Sequence, residues 1–584
     1  MSMEYLERPI DRHFAGFVCR QAGSGADEVF RLIVSMASGA VGKGSSCLDL
    51  SGIAGRTVIY GKKEFLLPGF DELMALLKSS SVVSFQEGEY RPLVLDAAGR
   101  LYLYRYWQYE NELAAMLLQK ASEAERSLDE ALLHEALLRL FPGEADREED
   151  LQKKAADVAL HRLFSVISGG PGTGKTSTVV RILALLFEQP GEGKRIALVA
   201  PTGKAAARLK ASISGMRSAL DCTEEIRAAI PYDVATIHGL LGTIPGSSRF
   251  RHSAENPLPF DTVIVDEASM VALPLMHALV TALRPPARLV LLGDREQLAS
   301  VEAGAVLADI CRAGEAGTGS PLSGAIVQLE KNYRFRDGSG IAQITRSIIA
   351  GREDDALNLL KSNVLSGFSW QKTPARKELV GFLSGRVIEG YREYLDAGSP
   401  AESLELFERF RILCALREGT FGVSGINRMV ESILAREGLI APVGDNYRGR
   451  PVLVTVNDYS MRLFNGDTGI LFPDPGNSGA IRAFFPSSDG AARSIPPERL
   501  PQHETAFAMT VHKSQGSEFD RVLFILSPFE HEILTRELLY TGLTRARRSV
   551  ELVADENVFA AAVGKRVERR TGLREKLFVG YKGS

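Results

Sequence analysis

Residues 169–176, with the sequence GGPGTGKT, constrain the fold of this chain more than any other segment. They follow a short apolar run, LFSVIS, which predicts a buried strand, and precede TSTVVRILALLFEQ, which has helical apolar spacing. Closely spaced glycines let successive backbone N–H groups turn toward one point, and a helix N-terminus adds positive potential there. The segment therefore predicts a phosphate-binding loop between a strand and a helix.

Each position of this loop has an expected role. Lys175 is expected to bridge the β- and γ-phosphates of a nucleoside triphosphate, and Thr176 to place its hydroxyl on Mg²⁺. An incidental lysine in a glycine-rich turn would not need the flanking strand and helix. The other loop residues expected at the phosphates are Gly169, Gly170, Pro171, Gly172, Thr173 and Gly174.

Acidic and amide side chains follow two later apolar runs. TVIV ends in Asp266 and Glu267, and RLVLL leads into GDREQL, which contains Gln297. Open parallel sheets present ligand groups at the carboxyl ends of their strands. We expect Asp266 to hold Mg²⁺, Glu267 to orient and deprotonate the attacking water, and Gln297 to sense the γ-phosphate by hydrogen bonding. These residues predict a nucleoside triphosphatase but not the work it drives.

The apolar runs also predict the architecture. Four of them between residues 160 and 330, separated by helical segments, predict a parallel sheet covered on both faces, and RILCAL, RVLFIL and SVELVA predict a second α/β domain. Short strand-like pieces with Asn-Gly turns in residues 447–502 predict an inserted small β-barrel. Residues 242–260 predict a short hairpin. The alternation in residues 101–107, LYLYRYW, predicts a strand packed on its own domain, in preference to rings that stack on bases.

These patterns predict four segments along the chain. They are an N-terminal domain over 1–110, a helical linker over 111–150 with a polar loop at 142–150, a first ATPase domain over 151–330, and a second α/β domain over 331–584.

Composition excludes several protein classes. The chain is 45% hydrophobic and 24% charged, and no apolar run reaches the roughly 18 residues that a membrane helix needs. The N-terminus is charged throughout, and the five cysteines are far apart with no CxxC pair. We expect a cytoplasmic protein rather than a secreted, membrane or disordered one. The formal net charge of −3 does not argue for or against nucleic-acid binding.

Further motifs indicate what the hydrolysis drives. APTGKAAARL supplies Thr202, Lys204 and Arg208, which can contact a sugar-phosphate backbone without reading its sequence, and TIHGLL supplies Thr236 and His238 in a similar role.

Two distant arginines suit a nucleotide held between domains. NYRF places Arg334 near the end of the first α/β domain, and YTGLTRARR places Arg545 in the second. An arginine finger in the second domain would make hydrolysis conditional on domain closure. The alternative interpretation is that Arg545 and Arg547 lie on a solvated helix face.

The ordered set GGPGTGKT, APTGKAAARL, TIHGLL, VDEAS, GDREQLASVEAG, NYRF, NGDTG, TVHKSQGSEFD and YTGLTRARR resembles superfamily 1 helicases of the RecD type. More narrowly, the chain is similar to the alpha-subunit family of exodeoxyribonuclease V, the RecBCD complex, from about residue 100 onward. The resemblance implies two RecA-like P-loop domains, an inserted SH3-like β-barrel and an N-terminal α+β domain that contacts partners. It also implies that the 242–260 hairpin acts at the duplex junction.

The resemblance further implies an activity. The family couples ATP hydrolysis, with Mg²⁺, to 5′-to-3′ movement on single-stranded DNA at duplex ends. It does so with RecB-like and RecC-like subunits, without a membrane, in double-strand break repair and recombination, and the nuclease resides in the beta subunit. Gln152 resembles the glutamine that reads adenine, and Lys175, Thr176, Asp266, Glu267, Gln297, Arg334 and Arg545 match the nucleotide site. The positions that match or approach the DNA-facing ones are Thr202, Lys204, Thr236, His238, Asn465, Thr510 and His512.

Two other functions stay open at this point. The chain could be chiefly a regulatory or scaffolding subunit whose N-terminal region is the working interface, or it could be a stand-alone RecD-like or RNA helicase. Dependence on larger partners, and a comparison of DNA with RNA tails, would separate these functions.

Overall fold

The computed structural model describes residues 2–23, 27–85, 89–125, 127–142, 150–191, 193–315, 320–335, 338–362, 365–458, 460–487 and 492–579. Within these ranges the strands form five sheets. Two of the sheets are parallel and lie next to each other, and the residues proposed for nucleotide chemistry lie where they meet.

The described residues of the N-terminal region form two small sheets and three helices. Strands β1, β3 and β4 form one sheet, and the second has the order β2-β7-β6-β5. The elements are β1 (Ser2–Tyr5), α1 (Pro9–Ala22), α2 (Glu28–Gly42), β2 (Cys47–Asp49), β3 (Thr57–Tyr60), β4 (Lys63–Leu66), α3 (Phe70–Lys78), β5 (Val83–Ser84), β6 (Leu93–Leu95) and β7 (Arg100–Leu103). Three helices follow: α4 (Tyr104–Ser122), α5 (Glu130–Leu140) and α6 (Leu151–His161).

The prediction for residues 101–107 is wrong in its second half. The strand β7 ends at Leu103, and Tyr104 begins the helix α4. Tyr104 and Trp107 are three residues apart, so on a helix they share one face, where their ring centroids lie 6.1 Å apart. Side-chain alternation alone did not distinguish this helical aromatic pair from a continuing strand.

The first large sheet has six parallel strands in the order β10-β9-β11-β12-β8-β13. All four apolar runs predicted for this region are strands of this sheet. The elements are β8 (Phe164–Gly169), α7 (Lys175–Glu188), β9 (Ile196–Ala200), α8 (Gly203–Arg217), α9 (Glu224–Ala229), β10 (Val234–Thr236), α10 (Ile237–Leu241), β11 (Thr262–Val265), α11 (Leu273–Thr281), β12 (Arg288–Gly293), α12 (Val306–Glu315) and β13 (Ile326–Leu329).

Alternate residues of these strands belong to two separate hydrophobic cores. Val263 and Val265 of β11 pack in one core and Ile264 in the other, and β12 alternates in the same way. A strand buried on both faces needs apolar residues at every position, which is why these segments are continuously apolar. The prediction of a parallel sheet covered on both faces is confirmed.

The second large sheet is also parallel, with the order β14 (Phe368–Gln371), β23 (Ala546–Val553), β22 (Phe519–Ile525), β15 (Phe410–Cys414) and β21 (Ala508–Thr510). The three apolar runs predicted for a second α/β domain are its strands β15, β22 and β23. The elements before its insertion are α13 (Gly340–Ala350), α14 (Glu353–Lys361), β14 (Phe368–Gln371), α15 (Leu379–Leu395), α16 (Pro400–Phe407), β15 (Phe410–Cys414) and α17 (Val423–Arg436).

An antiparallel sheet of five strands interrupts the second α/β unit, in the order β19-β18-β17-β16-β20. Its strands are β16 (Pro451–Val454), β17 (Thr468–Pro473), β18 (Ile481–Pro486), β19 (Ala492–Ile495) and β20 (His503–Thr505). The chain then returns to the parallel sheet through β21 (Ala508–Thr510), β22 (Phe519–Ile525), α18 (Arg536–Leu543), β23 (Ala546–Val553), α19 (Glu556–Gly564) and α20 (Leu573–Val579).

The end of the chain leaves the second α/β unit and packs between the N-terminal region and the first α/β unit. Arg569 donates hydrogen bonds to the carbonyl oxygens of Glu302 at 2.9 Å and Gly304 at 2.7 Å. Glu110 of α4 is fully buried and accepts hydrogen bonds from Gly572 N at 3.1 Å and Lys576 Nζ at 2.9 Å. This segment therefore ties three parts of the chain together.

Two other expectations have limited outcomes. Residues 242–260 contain one antiparallel bridge, between Thr243 and Phe250, and no strand. The predicted hairpin is therefore limited to one bridged turn, without regular strands. Most of the polar loop predicted at 142–150 lies outside the described residues. Among the helices that the structure describes, none has the length and apolarity needed to cross a bilayer.

Candidate functional site

The phosphate-binding loop connects β8 to α7, as its flanking patterns predict. Gly172 and Gly174 have φ values of +84° and +85°, which residues with a side chain rarely adopt. Thr173 Oγ1 donates to the carbonyl oxygen of Gly170 at 2.8 Å. Lys175 Nζ donates to the carbonyl oxygens of Gly169 at 2.5 Å and Gly170 at 3.1 Å, so its ammonium lies over the loop.

Gln152 contacts this loop from the first turn of α6. Its Nε2 donates to the carbonyl oxygen of Thr173 at 3.1 Å, and its Oε1 accepts from Arg181 Nη1 at 3.0 Å. The contact is close, because a Cβ at Gly174 would lie 2.2 Å from Gln152 Nε2. The structure therefore places Gln152 beside the loop, where the resemblance expects a nucleotide-reading residue.

The segment that carries Arg334 is fastened to the same loop. Asn332 Nδ2 donates to the carbonyl oxygen of Pro171 at 2.8 Å, and Tyr333 N donates to that of Gly172 at 2.8 Å. Asn332 Oδ1 accepts from the backbone N–H of Arg334 at 2.9 Å. A Cβ at Gly172 would lie 2.4 Å from Arg334 Cβ, so only glycine permits this approach.

Asp266 and Glu267 lie directly after β11. Burial, together with the neighbouring Glu267, raises the pKa of Asp266. Glu267 has φ +51° and ψ +41°, a left-handed conformation that costs a residue with a side chain about 1 kcal/mol. A strained, partly buried carboxylate pair at a strand end is a typical feature of a functional site.

Gln297 is buried, and one N–H of its amide nitrogen already has a partner. Gln297 Nε2 donates to Asp294 Oδ2 at 3.1 Å, and Tyr540 of the second α/β unit donates its hydroxyl to the same oxygen at 2.8 Å. Burial raises the pKa of Asp294 although Lys175 lies close enough to oppose this.

Arg545 is 1% exposed and lies between α18 and β23. Its Nε donates to the carbonyl oxygen of Thr541 at 3.1 Å and its Nη1 to that of Ser517 at 3.2 Å. Arg545 is therefore not part of a solvated helix face. The side chain of Arg547 is 51% exposed.

Glu518, just before β22, gathers several arginines. Its Oε1 forms ion pairs with Arg334 Nη2 at 2.7 Å and with Arg208 Nη2, and its Oε2 pairs with Arg547 Nε at 3.3 Å. Burial alone would raise the pKa of Glu518, but the guanidinium groups of Arg208 and Arg334 hold it at about 2. Arg208 therefore faces this carboxylate rather than a surface open to DNA, because α8 turns its side chain toward the second unit.

These residues line one cavity of about 350 Å³ between the two α/β units. The first unit contributes the phosphate loop, the carboxylate pair and Gln297, and the second contributes Glu518 and Arg545. The lining residues are Pro171, Gly172, Gly174, Lys175, Thr176, Ser177, Ala205, Arg208, Leu209, Ser212, Met216, Asp266, Glu267, Gln297, Tyr333, Arg334, Glu518 and Arg545.

The donor set of this cavity suits a triphosphate with Mg²⁺. In the described part of the chain, Arg334 Nη1 and Gln297 Oε1 are buried without a hydrogen-bond partner. A phosphate oxygen can accept from the guanidinium, and a water molecule can donate to the amide oxygen. The Thr176 hydroxyl and the Asp266 carboxylate are oxygen ligands of the kind that Mg²⁺ takes together with nucleotide phosphates.

Sequence reasoning missed three contributors to this site. Glu518 and Tyr540 lie within TVHKSQGSEFD and YTGLTRARR, and Asp294 lies within GDREQL, so the motifs contained them without indicating their contacts. The sequence signal that could have indicated them was a carboxylate, in Glu518 and Asp294, or a hydroxyl, in Tyr540, near the predicted edge of a sheet.

The residues expected to face DNA lie mostly at the carboxyl ends of β9, β10 and β21. Thr236 is paired in register with Ala200, two residues before Thr202. The hydroxyls of Thr202 and Thr236 each cap a helix, accepting from Ala205 N at 3.2 Å and Gly239 N at 3.0 Å.

The insertion and the second unit reach the same edge. A Cβ at Gly203 would lie 2.9 Å from Phe464 Cδ2, which brings the loop with the exposed Asn465 against the start of α8. Thr510, at the end of β21, accepts from Lys513 N at 3.3 Å.

Lys204 and the two histidines are less open than expected. Lys204 Nζ lies 3.8 Å from Glu408 Oε1 and 5.9 Å from the ring centroid of Phe519, and burial lowers its pKa. Burial also lowers the pKa of His238 and of His512, so both imidazoles favour the neutral form.

Comparison with known proteins gives three family matches. An AAA domain matches residues 152–303, the UvrD-like helicase C-terminal domain matches residues 505–553, and the N-terminal domain of RecBCD enzyme subunit RecD matches residues 4–102.

Curated relatives match most of the chain. RecBCD enzyme subunit RecD of Mycobacterium tuberculosis (strain CDC 1551 / Oshkosh) is 40% identical, with 97% of this chain and 94% of the relative covered. The subunit of the same name from Haemophilus influenzae is 35% identical over 82% of this chain and 80% of the relative. ATP-dependent RecD2 DNA helicase of Deinococcus radiodurans is 30% identical over 82% of this chain and 59% of the relative. Identity of this level over nearly the whole length shows that the chain belongs to the RecD subunit family of the RecBCD enzyme.

Proposed function

We propose that this chain is an ATP-dependent DNA helicase that moves 5′ to 3′ on single-stranded DNA as a subunit of a RecBCD-type exodeoxyribonuclease V. The observation that carries the proposal is the cavity lined by Lys175 of the first α/β unit and Arg545 of the second. A nucleotide bound there would contact both units, so its binding and hydrolysis would change how they are held together. Movement of the two units against each other is how such a motor advances along a strand.

The residues of the cavity divide the chemistry among them. Lys175 and Arg334 donate to the phosphate oxygens, and Gln152 reads the base. Thr176 and Asp266 would hold Mg²⁺, which would neutralise charge that develops on the phosphates. Glu267 accepts a proton from water as the water oxygen attacks the γ-phosphorus, and the bond from that phosphorus to the β–γ bridging oxygen breaks to leave ADP and phosphate.

Arg545 makes this step depend on both units. Its guanidinium approaches from the second unit and stabilises the charge of the transition state, a contribution worth about 10³ to 10⁵ in rate. Hydrolysis is then fast only while the units are closed on the nucleotide.

DNA would be held along the carboxyl ends of β9, β10 and β21. We assign contact with the sugar-phosphate backbone to Thr202, Lys204, Thr236 and Asn465, with His238, Thr510 and His512 beside them. Contacts of this kind make affinity depend on salt and leave little sequence preference. Separating one base-pair step requires about 1.4 kcal/mol on average, so one hydrolysis cycle per nucleotide is energetically reasonable.

The rest of the chain would serve the assembly. Relatives that match most of this sequence are named as subunits of the RecBCD enzyme, which supports RecB-like and RecC-like partners. We assign partner contact to the N-terminal domain over 1–110, followed by the helical linker over 111–150, and a RecA-like ATPase role to 151–330. We assign a second RecA-like role to 331–584, with an SH3-like insertion at 447–502 and a duplex-junction role for 242–260. A cytoplasmic location fits this role.

The test is unwinding of a duplex with a 5′ single-stranded DNA tail by the full chain together with its partner subunits. Lys175→Gln is expected to abolish DNA-stimulated ATP hydrolysis and the share of unwinding that starts from the 5′ tail. Lys377→Gln, at an exposed lysine outside the cavity, is the matched control. Full activity of Lys175→Gln would refute the proposal, and equal unwinding of RNA-tailed substrates would favour an RNA helicase.

A further inference from the structure

The loop after β12 is held to the second α/β unit by buried hydrogen bonds. Tyr540 Oη donates to Asp294 Oδ2 at 2.8 Å, and Leu298 N donates to Thr541 Oγ1 at 3.0 Å. Gln515 Nε2 donates to the carbonyl oxygen of Leu298 at 2.7 Å. The loop that carries Gln297 is therefore fixed by residues of the opposite unit.

Both oxygens of the Asp294 carboxylate are used. Oδ1 accepts from the backbone N–H of Glu296 at 3.0 Å, and Oδ2 accepts from Tyr540 Oη and from Gln297 Nε2 at 3.1 Å. Glu296 N and Tyr540 Oη both donate to this carboxylate, so its oxygens act as acceptors and pair with the nitrogen end of the Gln297 amide.

That pairing leaves Oε1 as the polar atom of Gln297 without a partner among the described residues. Gln297 lines the nucleotide cavity, and its Oε1 is buried without a hydrogen-bond partner in the described residues. An amide oxygen can accept a hydrogen bond from water but cannot donate one to a phosphate. The orientation therefore suits a residue that holds the attacking water.

The same pair lies against the phosphate loop. A Cβ at Gly170 would lie 2.8 Å from Tyr540 Oη and 3.9 Å from Asp294 Oδ2. Tyr540 belongs to α18, the helix after which Arg545 enters the cavity. Displacement of α18 would thus withdraw the tyrosine hydroxyl from Asp294 and the guanidinium from the cavity together.

We propose that Asp294 and Tyr540 are positioning residues that hold the Gln297 amide with Oε1 toward the attacking water, and that Tyr540 does so only while the two units are closed. The proposal rests on ATP hydrolysis in this cavity. Closure of the units would then act on the reaction through Tyr540 as well as through Arg545. An open cleft would withdraw the Tyr540 hydroxyl from Asp294, and the carboxylate that holds the amide would be less firmly placed.

The test compares Tyr540→Phe with Asp294→Asn in the full chain, with ATP hydrolysis measured at saturating single-stranded DNA. Tyr540→Phe should lower kcat about 10- to 100-fold, as expected for a misplaced reacting group, with the KM for ATP within about twofold. Asp294→Asn should lower kcat at least as much, because an asparagine cannot accept at both positions. The double variant should be no slower than Asp294→Asn, because the tyrosine acts through that carboxylate.

Tyr394→Phe is the matched control. Its buried hydroxyl donates to the carbonyl oxygen of Gly449 at 2.9 Å, away from the cavity, so it reports the loss of a buried tyrosine hydrogen bond. Equal kcat for Tyr540→Phe and this control, at matched thermal unfolding temperature, would overturn the proposal. So would kcat losses that multiply in the double variant, or a raised KM with unchanged kcat.

If Lys175→Gln still hydrolyses ATP at the full rate, the proposed function fails and this inference fails with it. An inactive Lys175→Gln beside a fully active Tyr540→Phe overturns this inference alone.

Discussion

Arg334 Nη2 donates to Glu518 Oε1 at 2.7 Å, joining the segment that follows the first parallel sheet to the second. The side chain of Glu518 is 5% exposed, and Arg208 of α8 pairs with the same oxygen. One buried carboxylate therefore holds cations that border the phosphate-binding cavity. A triphosphate entering the cavity would compete with Glu518 for both guanidinium groups.

The acid stability of the chain should depend on Glu518. Because its pKa falls from 4.5 to about 2 on folding, its contribution is complete above about pH 4.5 and is lost as the pH falls toward 2. The shift corresponds to about 3 kcal/mol at neutral pH. Glu518→Gln should lower the free energy of unfolding at pH 7, measured by urea denaturation, and should flatten its decline below pH 4.5. Glu532→Gln, at an exposed position, is the control, and an equal effect of both variants at pH 7 would contradict the prediction.

Arg545→Lys should separate nucleotide binding from hydrolysis. Lysine retains the positive charge but lacks the planar fork that donates to the carbonyl oxygens of Thr541 and Ser517. We expect kcat for ATP to fall about 10³-fold, with little change in ATP affinity measured by equilibrium titration. Arg548→Lys serves as the control because that side chain is 79% exposed. Comparable kcat values for the two variants would show that Arg545 is not the finger.

Asp309 should make the chain less stable as the pH rises. Burial raises the pKa of this carboxyl to about 7, although Thr571 donates to it at 2.8 Å. The unfolded chain releases this proton near pH 4 and the folded chain only near pH 7, so the free energy of unfolding decreases between these values, by up to about 4 kcal/mol. Asp309→Asn should remove that decrease and be more stable than the unaltered chain at pH 8. Parallel pH profiles of the two proteins would disprove the assignment.

Glu110→Gln should loosen the end of the chain. The carboxylate is fully buried and holds Lys576 Nζ at 2.9 Å, so the variant leaves an ammonium without its counter-charge, at a cost of about 3 kcal/mol. Hydrogen exchange over residues 569–579 should become faster, while exchange in β8 stays slow. Glu575→Gln is the control, since that carboxylate is 52% exposed and pairs with Arg100, and it should have little effect. Unchanged exchange in Glu110→Gln would show that apolar packing of α20 holds the end of the chain in place without this ion pair.

Much of the architecture could be predicted because its causes are local. The strands that contain TVIV and RLVLL are buried on both faces, so their sequences are almost continuously apolar and each strand can be recognised from its own residues. The phosphate loop is likewise specified within residues 169–176, since glycine placement, strand and helix all lie in one stretch. The prediction failed at Tyr104, where a pattern of alternating rings continued past the end of the strand and a helix formed instead.

The cross-unit contacts could not be predicted in this way. Arg208 has the same helical context whether it faces DNA or a carboxylate 310 residues away, and only the packing of α8 against the second unit decides which. Tyr540 and Asp294 are 246 residues apart, and neither motif indicates that the Tyr540 hydroxyl will bind the Asp294 carboxylate.

The sequence by itself therefore determined the two parallel sheets, the phosphate loop and the family, because periodicity and motif spacing are properties of short segments. Only the tertiary structure decided that Glu518 would hold Arg208 and Arg334, that Tyr540 would reach the loop of Gln297, and that the end of the chain would pack under Glu110. Each of these contacts depends on the free energy of packing two surfaces that are far apart in the sequence, and no pattern within a short segment encodes that free energy.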